Sequence, residues 1–191
     1  MKVTPRRRLS ADDRRRQLIA IGLTKLIEKP IQDLSMDEVA TEAGISRGLL
    51  FHYFPTKADF YVECMAAAGR RIIRTTKPDE NDPGDVQVAT TVGLMLERIA
   101  RRREFYVSLI QPSMDPRLAD VHGSVRAALT DRVMAALDVP TEQRALVHAW
   151  WAYVEDRALA WSAIAPEGRV PDQTGLVAHC CEALTALLDL A

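Results

Sequence analysis

Apolar positions in this chain recur every three to four residues in one segment after another, and no segment alternates like a strand bounded by turns. The first segment opens at Ser10, with Asp12 and Asp13 placed to complement a helix dipole. It continues through Leu18, Ile19, Ile21, Leu23 and Leu26, and Pro30 bounds it. Two short helices follow within 35–57, and a fourth runs from Lys57 to about Arg74. The stretch from Lys77 to Gly84, with two prolines and a glycine, is a loop. Beyond it the pattern predicts helices over 86–103, 104–111 (broken at Pro112), 116–137 (stopped before Pro140), 142–164 and 174–190. The expected class is all-α with about nine helices, without repeats or low-complexity tracts.

The stretch 35–57, SMDEVATEAGISRGLLFHYFPTK, is the most informative. Ser35 and Glu38 have capping-box spacing, and Met36, Val39, Ala40 and Ala43 form an apolar stripe. Gly44 is suited to the left-handed backbone that ends a helix, and Ile45 packs the turn down. Ser46 caps a second helix in which Leu49 and Leu50 can face inward. Phe54-Pro55 ends that helix, because the residue before proline is pushed out of the helical region. Thr56 caps the next. These pieces assemble as a helix–turn–helix. Arg47, His52 and Tyr53 are long polar donors, while Gly48 bares the first turn at the positive end of the helix dipole. Lys57 puts a cation where an anion would be welcome, and phosphate is the obvious one.

Residues 44–57 resemble the DNA-binding signature of the tetracycline-repressor (TetR) family of transcription regulators, and the resemblance extends over about Arg14 to Met65. It implies an N-terminal three-helix DNA-binding head over 1–56 and a helical effector-binding and dimerisation body over 57–191, with the functional boundary inside the fourth helix. Position by position, Ser35, Ser46, Tyr53 and Lys57 match family phosphate contacts, and Arg47, Gly48, Leu49 and His52 match positions facing base edges. Leu49 stands where threonine is usual, so its contact would be apolar, for example to a thymine methyl. Phe51 replaces a common tyrosine and removes a hydroxyl. The implied function is a repressor that binds a palindromic operator as a homodimer and is released by a small effector; the alternative is a DNA-binding dimer without an effector, its body used for protein interaction.

Charge agrees with that division. Residues 1–60 hold eleven Lys/Arg against eight Asp/Glu, a net of +3, and residues 61–191 fourteen against eighteen, a net of −4. A positive head on an acidic body suits a polyanion at one end. The segment 2–8, with Arg6, Arg7 and Arg8, reads as a basic arm that either follows DNA or is simply solvated. Arg14 to Arg16 read as solvated, with contact of one of them to phosphate as the alternative. Cys64, Cys180 and Cys181 have no C-x-x-C spacing and fit apolar filling in a reducing, cytoplasmic setting. No apolar run approaches the ~18 residues of a membrane span, so no membrane association is expected.

In the body, Leu146, Trp150, Tyr153, Val154, Trp161 and Ile164 fall on one face of the helix over 142–164, with Arg157 in its midst. Ala145, Ala149, Ala152, Ala160 and Ala163 form a second, small-residue face carrying Asp156, and Ala178, Ala183, Ala186 and Leu187 offer a similar surface on the last helix. In the family the last two helices form a four-helix bundle across a two-fold axis. The aromatic face is then expected to line an effector pocket with Phe105, Tyr106, Leu109, Met114 and His122. The pocket residues are Phe105, Leu109, Met114, Trp150, Tyr153 and Arg157, and the effector is apolar or amphipathic, with an anionic group as one option. A buried Arg157 needs an anion, either a ligand carboxylate or an internal acid such as Asp156 of a second copy. A helical enzyme built on His148 with Glu155 or Asp156 is the rival from another class. His52, His122, His148 and His179 lack H-x₃-H or H-E-x-x-H spacing, so neither catalysis, a metal nor any cofactor is expected.

Overall fold

The computed structural model describes residues 9–28, 33–110 and 115–190, with the side chains at 27–28 and 108–110 excepted. The basic arm at 2–8, Pro30, Pro112, Met114 and the side chain of Leu109 lie outside the described residues. Among those residues the architecture is all-α: α1 (Ala11–Glu28), α2 (Met36–Ala43), α3 (Arg47–Tyr53), α4 (Lys57–Thr75), α5 (Gly84–Arg101), α6 (Arg103–Ile110), α7 (Pro116–Leu137), α8 (Arg144–Ser162) and α9 (Gln173–Asp189). None of these helices is long and apolar enough to cross a membrane. The chain divides into two compact units, Met1–Ala68 and Gly69–Ala191, with the dividing point inside α4.

In the first unit each helix end is fixed by a local device. Ser35 Oγ accepts from the Glu38 amide at 3.3 Å, and Gly44, at φ 66°, closes α2 in the left-handed region. Ser46 Oγ accepts from the Leu49 amide at 3.2 Å. A complete capping box opens α4: the Asp59 amide donates to Thr56 Oγ1 at 3.0 Å and the Thr56 amide to Asp59 Oδ2 at 3.1 Å. Leu18, Val39, Leu50, Phe54, Phe60, Cys64 and Met65 fill the core, with Phe54 edge-on to Phe60 at 5.0 Å. Burial raises the Cys64 thiol to about 12, so it is apolar filling here.

The arginines of α1 correct one expectation, since only Arg16 is solvated. Arg14 Nη1 donates to the Ala43 carbonyl at 3.3 Å, satisfying the C-terminal end of α2. Arg15 does the same for α3 through the Tyr53 carbonyl at 3.1 Å, pairs with Glu63 at 2.8 Å and lies 4.7 Å over the Phe54 ring. Cations at helix C-termini complement the dipole and occupy carbonyls that have no partner within the helix.

In the second unit α5 is central, packing on α7, α8 and α9, and α6 packs on α5, α7 and α8. Val88, Val92, Met95, Leu96 and Ile99 of α5 meet Val125, Leu129 and Val133 of α7 and Val147, Trp150, Trp151 and Val154 of α8. The break between α5 and α6 falls at Arg102, slightly earlier than expected, and a 3₁₀ turn at Thr141–Gln143 precedes α8. The C-terminal end of α4 is clasped by arginines: Arg132 donates to the Ile73 carbonyl at 2.6 Å and the Thr76 carbonyl at 2.9 Å, and Arg98 to the Thr75 carbonyl at 3.3 Å.

Close approach of α1 and α4 depends on Gly22. A Cβ there would stand 2.5 Å from Phe60 Cζ and 2.7 Å from Cys64 Sγ, both in buried side chains. Gly22→Ala is expected to destabilise the first unit by about 1–3 kcal/mol from overpacking, despite alanine's better helix propensity. Denaturant unfolding followed by circular dichroism checks this, and an unchanged midpoint contradicts it.

Candidate functional site

Helix α3 is short, and its sequence divides cleanly by face. Leu50 is fully buried, and Phe54 closes the helix from inside. Leu49, expected to face inward with Leu50, is 40 % exposed, so the inward role belongs to Leu50 alone. Successive residues on a helix stand about 100° apart, and the head core reaches only one of the two. Arg47, Gly48 and His52 are exposed too, and so is Ser46 at the N-cap. Tyr53, Ser35 and Lys57 are half-buried at the edges of this face. All eight residues expected at a nucleic-acid surface therefore lie at the N-termini of α2, α3 and α4 or on and beside the exposed side of α3.

Two details give this face its chemistry. A Cβ at Gly48 would meet nothing within 4 Å, and its φ is not in the left-handed region. Among the described residues neither packing nor backbone accounts for glycine there. Arg47 Nη1 pairs with Asp37 Oδ2 at 2.5 Å, and its guanidinium lies 5.3 Å over the Phe51 ring. Both charges are largely exposed. Such a surface pair is worth about 0–1 kcal/mol, so it orients Arg47 without locking it.

Of the residues expected around a ligand, the described ones fall on two flanks of α8. Trp150 is fully buried, and its Nε1 donates to the Cys180 carbonyl of α9 at 2.8 Å. Tyr153 OH is 2.5 Å from His179 Nε2, also on α9. Arg157, expected in a buried stripe, is exposed, paired with its neighbour Asp156 at 2.9 Å and 6.0 Å from the Tyr153 ring. These three lie on the α9 flank of α8. Phe105 is half-buried on α6, whose next residue Tyr106 reaches the other flank of α8. The two flanks are separated by about 140° around the helix, the angle between positions five residues apart.

That other flank holds a cluster the sequence reading missed. Glu155, 5 % exposed, is the only buried charged side chain among the described residues. Its Oε1 accepts from Tyr106 OH at 2.8 Å and lies 2.9 Å from His122 Nε2, while Arg126 Nη2 donates to Oε2. Burial pushes the carboxyl up, but the hydrogen bond and charge of His122, the Arg126 charge and the Tyr106 hydroxyl outweigh it, and Glu155 titrates below 4.5. Burial, then Glu155 itself, raises Tyr106 well above 10.0. Beside the cluster, His148 Nδ1 is 3.3 Å from Thr130 Oγ1, and burial followed by the charges of Arg126 and Arg144 lowers its pKa below 6.5. A signal was present in the sequence: His122, Arg126 and Thr130 recur at i, i+4, i+8 on α7, opposite one acid beside the apolar stripe Val147, Trp151, Val154, Ala158.

The geometry of the head agrees with comparisons to known proteins. Residues 19–64 match the family described as "Bacterial regulatory proteins, tetR family". The HTH-type transcriptional regulator EthR of Mycobacterium tuberculosis is 42% identical over 50 residues, 26% of this chain and 23% of EthR. The HTH-type transcriptional activator FasR of Mycolicibacterium smegmatis is 30% identical over 76 residues, 36% of this chain and 35% of FasR. The chain thus spans only about a quarter to a third of the curated relatives it matches. In fold the likeness is longer. A tetR-family transcriptional regulator from Streptomyces coelicolor superposes with a TM-score of 0.79 at 24% identity, over 95% of this chain and 83% of that one. FadR of Bacillus subtilis, in complex with stearoyl-CoA, gives 0.58 at 14% identity over 88% and 96%.

The Glu155 cluster makes a pH prediction. A carboxylate whose folded pKa is depressed contributes stability above its unfolded pKa and loses it as pH falls through the folded value. Glu155→Gln is expected to destabilise the body by about 3 kcal/mol at pH 7, the lower end of the cost of breaking a buried pair. Its stability should also vary less than wild type as pH falls from about 5 through the depressed pKa. Urea unfolding at a series of pH values checks both, and parallel acid limbs for the two proteins contradict the assignment.

Proposed function

This chain belongs, through its head, to the tetR family of bacterial regulatory proteins, and from that premise we propose that it is a ligand-responsive, DNA-binding transcriptional repressor acting as a homodimer. The observation that carries the reading is Gly48. An exposed glycine in a helix costs roughly 1 kcal/mol relative to alanine, and nothing among the described residues asks for one. Close approach of a phosphate-lined groove does.

In this reading α3 enters the major groove. Arg47 leaves Asp37 for a guanine edge, Leu49 meets a thymine methyl, and His52 faces the base edges further along. Ser35, Ser46, Tyr53 and Lys57 hold flanking phosphates and fix the register. One such head reads few base pairs, so two are needed, spaced about 34–36 Å apart on a palindrome. The exposed alanines Ala145, Ala149 and Ala160 of α8 and Ala178 and Ala186 of α9 support a close helix-on-helix dimer face. Asp156, Arg157, Tyr153 and His179 lie on that side of the body and belong to the same interface.

The effector belongs to the opposite flank of α8, among α6, α7 and α8, with Phe105 and Tyr106 on its wall. FadR of Bacillus subtilis takes stearoyl-CoA, which supports a body of this fold accepting an apolar ligand. A Cβ at Gly69 of α4 would lie 2.8 Å from Val125 Cγ2 of α7, so the two helices touch without slack. Arg132 grips the end of α4 from the same α7. A ligand that shifts α7 shifts α4, which is continuous to Lys57. Only a ligand preferring one head spacing changes DNA occupancy.

Gel shift against the DNA flanking its own gene tests the reading. Arg47→Ala should weaken operator binding by about 1–3 kcal/mol while leaving random DNA little affected. Lys57→Ala should weaken both alike and lower the salt dependence by about one phosphate contact. Wild-type binding by both variants would sink the head assignment. A broad panel of apolar compounds that never releases the operator would remove the effector and leave a DNA-binding dimer.

A further inference from the structure

Most acids of the head have a local structural purpose. Lys25 of α1 takes Glu42 at 2.8 Å and Glu38 at 3.9 Å, Glu63 pairs with Arg15 at 2.8 Å, and Asp59 completes the capping box that opens α4. Each of these joins two helices or fixes a helix end. Asp37 is placed differently. It precedes Glu38 in the first turn of α2, about 100° around the helix from it. Its Oδ2 meets Arg47 Nη1 of α3 at 2.5 Å, and the two side chains are 61% and 60% exposed. An acid therefore stands on the face that the head offers to a polyanion, against the cation assigned to base reading.

Arg47 needs an anion in either state. It is the first residue of α3, whose first turn holds no acid, so its charge opposes the helix dipole. In the free protein Asp37 provides the anion, and the Phe51 ring lies 5.3 Å from the guanidinium. On DNA two acceptors compete with Asp37. Phosphate is present at every position and carries no sequence information, whereas guanine O6 and N7 form a two-acceptor edge found only in some sequences. The two differ in charge. A phosphate that takes Arg47 exchanges one anion for another and is then repelled by the bared carboxylate of Asp37. The guanine edge is neutral, accepts two hydrogen bonds at once, and meets no such repulsion.

We infer that Asp37 is a specificity-determining residue of the DNA-binding head: it competes with phosphate for Arg47, holding the guanidinium back from sequence-independent contacts and yielding it to a guanine edge. This rests on the base-reading role proposed for Arg47 and adds to it a residue that donates nothing to DNA. Asp37 weakens binding to every sequence but weakens random binding more. Among many competing sites the ratio of the two, not the affinity alone, decides occupancy.

A double-mutant cycle on the full-length protein tests this by fluorescence anisotropy with two duplexes. One carries the operator footprinted in the DNA flanking its own gene, and the other carries the same bases permuted. Asp37→Asn keeps the shape of the side chain, and circular dichroism checks its fold. At about 50 mM salt it should tighten binding to the permuted duplex about tenfold, and steepen the salt dependence there by about one phosphate contact. Operator binding should tighten no more than about threefold, so the operator-to-random ratio falls by about threefold or more. In the Arg47→Ala background Asp37→Asn should leave both the ratio and the salt dependence unchanged, because there is no guanidinium to release. Should Asp37→Asn move both duplexes by one factor, or steepen the salt dependence equally with and without Arg47, Asp37 is a plain surface charge. That result overturns the inference and leaves the base-reading role of Arg47 standing. Operator binding undiminished by Arg47→Ala overturns that role, and the inference with it.

Discussion

A seven-residue helix cannot hold itself together in water, and everything in the head follows from that constraint. The outer face of α3 carries Arg47, Gly48, Leu49 and His52, so little of the helix is left to pack. Stability has to come from the ends and from one inward side chain. Ser46 satisfies the first turn, Leu50 and Phe54 anchor the inner side, and Arg15 takes the Tyr53 carbonyl from α1 while pairing with Glu63 on α4. The arginines of α1 are therefore part of the scaffold that leaves the exposed face of α3 uncommitted. Positive charge near the site serves two purposes, and geometry separates them: Arg14 and Arg15 turn inward to carbonyls, while Arg47 rests on an exposed acid and the Phe51 ring.

The body solves a different problem. Among the described residues its one buried charged side chain is Glu155 of α8, and two arginines of α7 reach buried partners. Arg126 meets Glu155 at the middle of α7, and Arg132 takes the carbonyls of α4 towards its C-terminal end. Val125, the residue before Arg126, presses against Gly69. One rigid helix thus touches both the buried acid cluster and the last turn of the helix that continues into the head. Breaking either polar contact leaves a buried partner unsatisfied, which makes the arrangement discrete. The same chemistry keeps the cysteines out of the account: burial raises Cys64 to about 12 and Cys180 to about 11, far from thiolate reactivity at neutral pH.

Most of the head was legible from residue order, because its determinants are local. A cap, a glycine in the left-handed region and a residue before proline act within three or four positions, so 35–57 specified its own turns. Residue order also determined the all-α class and most helix breaks. What it did not determine was which flank of α8 meets which helix. The wheel put Arg157 among the aromatics, and the side chain is indeed near Tyr153. That edge of α8 faces outward beside α9, and Glu155 lies about 160° away around the helix. The identity of the buried charge is decided by α6 and α7 closing over one flank. Those contacts join residues 29 to 49 positions apart, and no local pattern encodes them. Propensity and capping are short-range and can be read along the chain; the satisfaction of a buried carboxylate depends on three helices at once, and only the tertiary structure decides it.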